Sequence, residues 1–217
     1  MSPILAADGN SKRGFRTMKH IPVKLAALVA ISVAASVLAA RSENLAVRNC
    51  TWCHGAAAQG YTPAPRLAGQ KPQYIENQLV SLRAHRRNNP FSKQNMWGAA
   101  GGLSPQAVHD LAVYFSSLTP RAADDGDHEL AAAGQSIYQT GIPDANIAAC
   151  VACHGPNAEG AGMIPRIGGL AYTYLKRRLE QWGEGYHPTA QPPMPRVATK
   201  LSRDQIEALA SYLSFVK

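Results

Sequence analysis

Apolar positions recur at helical spacing near the end of the chain and again about a hundred residues earlier. After Ser104 and Pro105, the apolar residues that fall on one helical face are Val108, Leu111, Ala112, Phe115 and Leu118. A serine before the first turn and a proline at the first helical position are typical of a helix N-terminus. The pattern predicts a helix that begins at Pro105 and buries this face.

A second capped helix is predicted at the end of the chain. It follows Ser202, and Gln205 completes a capping box. Its apolar face consists of Ile206, Leu209, Ala210, Leu213 and Val216. Further helices are predicted from near Pro72 to Leu82, from Tyr174 to Trp182, and from Glu129 through Tyr138. Because no stretch alternates in the way strands do, the sequence predicts an all-α protein.

The chain also repeats itself. At an offset of 100 residues the matched residues include Gly60 and Gly160, Pro65 and Pro165, Arg66 and Arg166, and Tyr74 and Tyr174. At an offset of 98 they include Met96 and Met194, and Ser104 and Ser202. Two copies of about ninety residues indicate a domain duplication. We predict a first domain over residues 41–119, an acidic, proline-bearing linker over residues 120–128 and a second domain over residues 129–217.

The first forty residues differ from the rest. Five Lys or Arg residues precede sixteen uncharged residues, from Leu25 to Ala40. This run is shorter than the ~20 residues that span a bilayer. A basic segment, an apolar segment and small residues at the end predict a secretory signal peptide over residues 1–40. The expected location is periplasmic, and an uncleaved membrane anchor is the alternative.

Charge is uneven along the exported part of the chain. Residues 41–119 carry 8 basic and 3 acidic residues, whereas residues 120–217 carry 9 and 10. The first half is therefore +5 and the second −1. The basic residues are not interleaved with aromatic ones, so we expect no nucleic-acid partner.

All four cysteines lie in two pentapeptides, Cys50 to His54 and Cys150 to His154. Each reads Cys-x-x-Cys-His, the attachment signature of a c-type haem, in which two thiols bond to one porphyrin and the histidine lies beneath the iron. Disulfides, zinc knuckles and a thioredoxin-like pair are the alternatives. None of them explains a histidine after both pairs, and the 96 residues between the pairs far exceed the spacing of a zinc ribbon. The sequence predicts two covalently attached haem c groups, bonded to Cys50, Cys53, Cys150 and Cys153.

Each iron then needs a second axial ligand. Met96 follows His54 by 42 residues, Met194 follows His154 by 40, and both precede a capped last helix. A thioether raises the reduction potential, and a filled sixth position leaves no room for oxygen or peroxide. We predict His54, Met96, His154 and Met194 as the iron ligands. Met163 has no counterpart in the first copy, and we assign it to packing.

Further residues of the repeat are candidates to support the haem groups. The carbonyl oxygens of Pro65 and Pro165 are suited to accept the Nδ1 hydrogen of each axial histidine. Candidates to pair with haem propionates, with surface Arg and core Tyr as the alternative, are Arg66, Arg166, Tyr74 and Tyr174. The histidines without a repeat partner are expected at the surface, and these are His85, His109, His128 and His187.

With these motifs the chain resembles the diheme cytochromes c of the c-four type, which are built from two class I cytochrome c domains. The resemblance covers nearly all of residues 44–217. It rests on Cys-Thr-Trp-Cys-His-Gly, on Pro-Arg-Leu-Ala-Gly-Gln at 65–70, on Pro-Arg-Ile-Gly-Gly at 165–169 and on Met-Pro-Arg-Val-Ala at 194–198. It implies two His/Met haems that face each other across a domain interface. Two departures are His187, where an arginine is expected, and a short helix before Cys50.

The resemblance implies a periplasmic carrier of single electrons between a respiratory donor and a terminal oxidase or other redox partner. The expected partners are a quinol-oxidising complex and a membrane-bound oxidase, with no small-molecule substrate and no enzymatic activity. An electron-transfer subunit of a dehydrogenase complex is one alternative. A diheme peroxidase is another, but it requires an iron with an open or displaceable site, which paired methionines argue against.

Overall fold

The computed structural model describes residue 37, residues 44 and 45, residues 47–186 and residues 194–217. Within these ranges the chain is helical, and it contains no β-strand beyond three isolated bridges. The predicted all-α class is confirmed. The predicted signal peptide lies outside the described residues, apart from residue 37. None of the described helices has the length and apolar character needed to cross a membrane.

The described helices repeat in the same order in the two halves of the chain. Those of the first half are α1 (Thr51–His54), α2 (Pro72–Arg83), α3 (Trp97–Gly101) and α4 (Pro105–Ser117), with a π-helical turn at Ser92–Met96. Those of the second half are α5 (His128–Thr140), α6 (Val151–His154), α7 (Tyr172–Gly183), α8 (Met194–Ala198) and α9 (Arg203–Phe215), with a 3₁₀ turn at Pro143–Ala145. The sequence repeat is therefore also a repeat of helices.

The last helix of each half begins where its capping residues predict. The Ser104 hydroxyl accepts a hydrogen bond from the Ala107 N–H at 3.1 Å. At α9, the Ser202 hydroxyl accepts from the Gln205 N–H, and the Gln205 side chain accepts from the Ser202 N–H at 2.9 Å. These bonds satisfy N–H groups that have no partner within the helix, which explains both boundaries.

Each half encloses its own apolar core against its last helix. In the first, Leu111 and Phe115 of α4 pack with Ile75 of α2. In the second, Leu209 and Leu213 of α9 pack with a larger buried set that includes Tyr138, Leu170, Tyr174 and Leu175. The helical faces predicted from the apolar pattern are thus the faces that form the two cores.

The helix that leads to the second pentapeptide packs tightly on α9. Gly134 of α5 lies so close to Ala208 that a Cβ at position 134 would clash with the Ala208 carbonyl oxygen. In the first half, residues 44, 45 and 47–49 are helical, and Leu45 packs on the first core. A helix therefore precedes Cys50 as well, although the sequence offered little room for one.

The predicted linker packs on the second half of the chain. The Ala123 N–H donates to the Gly169 carbonyl at 3.1 Å, and the Asp124 N–H donates to the Ser214 carbonyl at 3.1 Å. The Asp125 carboxylate accepts from the Tyr172 N–H at 2.8 Å. Since these bonds tie successive linker residues to one half, the connection does not act as a free tether.

Candidate haem sites

Each Cys-x-x-Cys-His pentapeptide forms one helical turn. In the first, the His54 N–H donates to the Cys50 carbonyl at 2.9 Å. The turn ends at Gly55, which has a φ of +82° that residues with a Cβ rarely adopt. The second pentapeptide has the same bond and the same glycine conformation. One short turn therefore presents two thiols and an imidazole in a fixed order.

The two thiols of a pentapeptide differ in burial. Cys50 and Cys150 are half-buried, whereas Cys53 and Cys153 are exposed, and all four are free. Burial, with a contribution from Cys53, raises the pKa of the Cys50 thiol to about 11. Burial also raises the pKa of the Cys150 thiol. Before haem is attached, the inner thiols are therefore neutral near neutral pH.

Both candidate axial histidines are buried and oriented by a proline carbonyl. The His54 Nδ1 lies 2.6 Å from the Pro65 carbonyl oxygen, and the His154 Nδ1 lies 3.0 Å from that of Pro165. Because a carbonyl only accepts, Nδ1 carries the hydrogen and Nε2 keeps a lone pair for a metal. Burial lowers the pKa of both imidazoles. Each ring is therefore held neutral in the tautomer that an iron ligand needs.

Tyr138 supports the second pentapeptide in a way that the sequence did not indicate. Its side chain is fully buried, and its hydroxyl donates to the Gly155 carbonyl at 2.5 Å. Gly155 directly follows His154, so this bond fixes the end of the turn that carries the candidate ligand. The repeat gave no signal for it, because the residue 100 positions earlier is Leu38.

The two candidate methionines occupy equivalent places in the helix order. Met96 ends the π-helical turn before α3, and Met194 begins α8. Both are half-buried. The π-helical turn is held by Asn89, whose side chain exchanges hydrogen bonds with the Ser92 hydroxyl and N–H. Ligation by the methionines stays a prediction, and Pro192, Pro193 and His187 lie outside the described residues.

Met163 was expected to serve as packing, and this expectation is wrong. Its side chain is 60% exposed. It stands in the turn between Ala161 and Ile164, where Gly162 has a positive φ. A tight surface turn directs the side chain away from either core, which the lack of a repeat partner did not reveal.

Arg66 lies between the two halves of the chain and not at the surface. One guanidinium nitrogen donates to the Gly169 carbonyl at 2.6 Å and also to the Arg121 carbonyl, and the other donates to Gly168 at 2.6 Å. Gly169 has no Cβ to obstruct this approach. Arg66 thus holds the first half on the second, and its pairing with a propionate stays a prediction.

A second group of interface residues surrounds Tyr74 and Tyr174, the two tyrosines that are candidates to pair with haem propionates. The Arg87 guanidinium donates to Gln78 at 2.8 Å and to the Tyr174 hydroxyl at 3.4 Å. Burial raises the pKa of Tyr74. Burial alone would also raise the pKa of Tyr174, but the charges of Arg87 and Arg178 outweigh it and lower that pKa. The interface is therefore strongly electropositive around Tyr174.

This buried positive charge fits the carboxylates of haem. The Nε atoms of Arg66, Arg87 and Arg166 are buried and have no hydrogen-bond partner within the described residues. In the same residues none of these arginines forms an ion pair with Asp or Glu. Buried guanidinium groups require anionic partners, and propionates supply them. The donor set at the interface would thus suit haem propionates.

The other described histidines lie at the surface, as expected. His85 stacks on Trp97 at a ring-centroid distance of 3.9 Å, and His128 stacks on Phe215 at 4.3 Å. His109 lies 2.7 Å from the Glu76 carboxylate. None of the three takes part in the groups described above.

The sequence matches the family model for cytochrome c over residues 39–119 and again over residues 131–217. It is 36% identical to cytochrome c4 of Thiocapsa roseopersicina over 76% of this chain and 85% of that protein. It is 32% identical to the thiosulfate dehydrogenase electron acceptor of Stutzerimonas stutzeri (strain A1501), over 92% of this chain and 97% of that protein.

A solved structure shows the same arrangement of helices. The structure of cytochrome c4 from Acidithiobacillus ferrooxidans superposes with a TM-score of 0.72 at 32% identity and covers 76% of this chain and 98% of that one. The chain therefore shares its fold with this solved structure.

Proposed function

Because the chain belongs to the cytochrome c family and binds two haem c groups as the diheme cytochromes c4 do, we propose that it carries single electrons between redox proteins in the periplasm. The observation that carries the proposal is the duplicated site. Each half presents two thiols, a neutral buried histidine and an equivalent methionine. A pair of closed sites suits transfer of electrons better than chemistry on a substrate.

The protein's residues hold and orient the two groups. Cys50, Cys53, Cys150 and Cys153 would attach the two haem groups, and His54, Met96, His154 and Met194 would ligate the irons. Haem iron supplies a one-electron couple whose potential depends on its axial ligands and burial. Both histidines are buried from water, and the interface arginines would balance the charge of haem propionates.

The periplasmic location is supported by the sequence of the leader. A basic segment followed by a short apolar run is typical of export signals. Haem attachment at Cys-x-x-Cys-His takes place outside the cytoplasm, so the leader and the pentapeptides favour the same compartment. Intact mass of the exported protein tests both together, because it gives the cleavage site and the number of haem groups.

The partners proposed are a quinol-oxidising complex or a periplasmic dehydrogenase as donor and a membrane-bound terminal oxidase as acceptor. The dehydrogenase is favoured as an alternative donor by the similarity to a thiosulfate dehydrogenase electron acceptor. Stopped-flow mixing of the oxidised protein with each reduced donor identifies the true one by its second-order rate. Equally slow reduction by every donor would contradict the role of a carrier.

The competing function, a diheme peroxidase, is tested by spectroscopy of the oxidised protein. Two low-spin ferric haems with methionine-to-iron charge-transfer bands are expected if Met96 and Met194 are both ligands. A high-spin haem that binds peroxide would instead favour the enzyme.

A further inference from the structure

The loop that follows the first pentapeptide is hydrogen-bonded to the corresponding loop of the second half. Gln70 is buried and spans the interface with both ends of its amide. Its Oε1 accepts from the Arg166 N–H at 2.8 Å, and its Nε2 donates to the Arg166 carbonyl at 2.9 Å. The same Oε1 accepts from the Lys71 N–H at 2.9 Å, so the amide is oriented from its own side as well.

The bond to the Arg166 N–H leads directly to an iron ligand. The Arg166 N–H and the Pro165 carbonyl belong to one peptide group. The Pro165 oxygen accepts from the His154 Nδ1 at 3.0 Å. A continuous hydrogen-bonded chain therefore runs from His154 through one peptide to Gln70 on the other domain.

We propose that Gln70 of the first domain tunes the axial histidine of the second haem across the domain interface. This inference rests on the proposed function, since it takes His154 as an iron ligand. An acceptor on the N–H side polarises a peptide and makes its oxygen a better acceptor, because hydrogen bonds in a chain strengthen one another by about 10–30%. A better acceptor at Pro165 gives His154 more imidazolate character and stabilises ferric iron.

The effect is confined to one haem by an asymmetry in the repeat. The residue that corresponds to Gln70 in the second half is Leu170, which is buried in the second core and has no hydrogen-bonding side chain. The peptide between Pro65 and Arg66 therefore receives no equivalent amide from across the interface. Two sites with the same iron ligands become inequivalent through one side chain.

Arg66 holds the interface in the position that the Gln70 bond requires. Its guanidinium donates to the Gly168 and Gly169 carbonyls, two and three residues beyond Arg166. Arg66 is a poor site for a test, because its buried Nε is also a candidate for a propionate and a substitution would alter charge near both haems. Gln70 is neutral, so its replacement by leucine changes no charge.

The test uses the full-length, haem-loaded protein with Gln70→Leu, which copies the residue found in the second half. Redox potentiometry followed by NMR resolves the two haems. We expect the potential of the second haem to rise so that the equilibrium of electrons between the haems shifts about threefold towards it, equivalent to about 30 mV at 59 mV per tenfold. The first haem is expected to keep its potential. Gln73 is an exposed glutamine on α2, and Gln73→Leu is the matched control. It should change the potential of neither haem.

A second variant separates tuning from loosening of the interface. Gln70→Glu keeps an acceptor oxygen for the Arg166 N–H, so the second potential should stay at the wild-type value or fall. If Gln70 served only to hold the domains together, both variants would shift it in the same direction. A rise in Gln70→Glu, or an equal shift of both haems in Gln70→Leu, would overturn the proposal.

Amide exchange at Arg166 in the ferrous, diamagnetic protein supplies a readout that is independent of activity. Exchange is expected to accelerate about tenfold in Gln70→Leu and to change little in Gln70→Glu, because only the first removes the acceptor. Faster exchange with an unchanged second potential would also overturn the proposal. If the wild-type protein exchanged electrons with no redox partner, the proposed function would be wrong. The shift in the potential of the second haem in Gln70→Leu could still be measured.

Discussion

His54 and His154 have the protonation state and tautomer that the predicted role of iron ligand requires. Burial keeps each imidazole neutral, and the proline carbonyl fixes the hydrogen on Nδ1. Both effects leave Nε2 with a lone pair at neutral pH. Proline suits the position, since it offers an acceptor while its missing N–H leaves no donor unsatisfied in the buried loop.

At the residue scale, the methionine ligands are tested by substitution. Met96→Ala and Met194→Ala should each convert one ferric haem from low-spin to high-spin and lower its potential, because a soft thioether favours ferrous iron. Absorption and EPR spectra measure the change. Met163→Ala is the control, since that side chain is 60% exposed, and it should leave both spectra unchanged. Retention of two low-spin haems in Met96→Ala would refute that ligand.

Tyr138→Phe tests the support behind the second pentapeptide. Removal of the hydroxyl leaves the Gly155 carbonyl without this donor, and we expect a loss of about 1–2 kcal/mol in the free energy of unfolding. Denaturant titration measures it. Tyr61→Phe, at an exposed tyrosine, is the control and should have no effect. An unchanged denaturation midpoint in Tyr138→Phe would show that the hydrogen bond to Gly155 does not contribute to stability.

At the element scale, the capped helices were predictable and the close packing was not. Ser104, Ser202 and Gln205 act on N–H groups within one turn, so their effect is local and the sequence reports it. Gly134 is different, because its importance comes from Ala208, which lies 74 positions later. A glycine within a predicted helix indicates lower helix propensity and does not identify the partner that approaches it.

Gly134→Ala is expected to destabilise the protein by about 2 kcal/mol or more, because the added Cβ clashes with backbone and forces α5 away from α9. Thermal unfolding of the haem-loaded protein measures the loss. Gly183→Ala in α7 is the matched control, since nothing lies within 4 Å of its added Cβ. This control should be neutral or stabilising by up to about 1 kcal/mol. Equal losses of stability in Gly134→Ala and Gly183→Ala would contradict the close approach of α5 to α9.

At the scale of the whole molecule, charge is divided between a surface and an interface. Of the interface arginines Arg66 is buried and Arg87 and Arg166 are half-buried, whereas Arg86 and Lys93 of the first domain are exposed. Between Glu76 and Asp110 the first domain has no acidic residue to offset them. The first domain therefore presents positive charge to solvent, which suits the encounter with an acidic redox partner.

Lys93→Glu should slow the second-order reaction with an acidic partner by about two- to fivefold at low salt and flatten its dependence on ionic strength. Stopped-flow kinetics at several salt concentrations measure both effects. Lys217→Glu changes the net charge equally on the second domain and should slow the reaction less. Equal slowing by the two variants would show that net charge, and not the first-domain surface, steers the encounter.

The sequence by itself determined the two haem pentapeptides, the axial ligand candidates, the duplication and the capped helices. Each depends on residues close together in the chain or on a comparison of the chain with itself. Even the Pro65 and Pro165 contacts follow from such local spacing, since each lies 11 residues from its histidine.

Only the tertiary structure decided how the two copies meet. The pairing of Arg66 with a propionate stays a prediction, and the sequence did not indicate that its guanidinium donates to carbonyls more than 50 and 100 residues away. Gln70 belongs to the motif at 65–70, but the sequence predicted no role for it, because that role depends on a backbone N–H about a hundred residues later. Backbone carbonyl and N–H groups are nearly the same in every residue type. A sequence repeat therefore reveals matching side chains, but it does not reveal which backbone groups of one copy bond to the other copy.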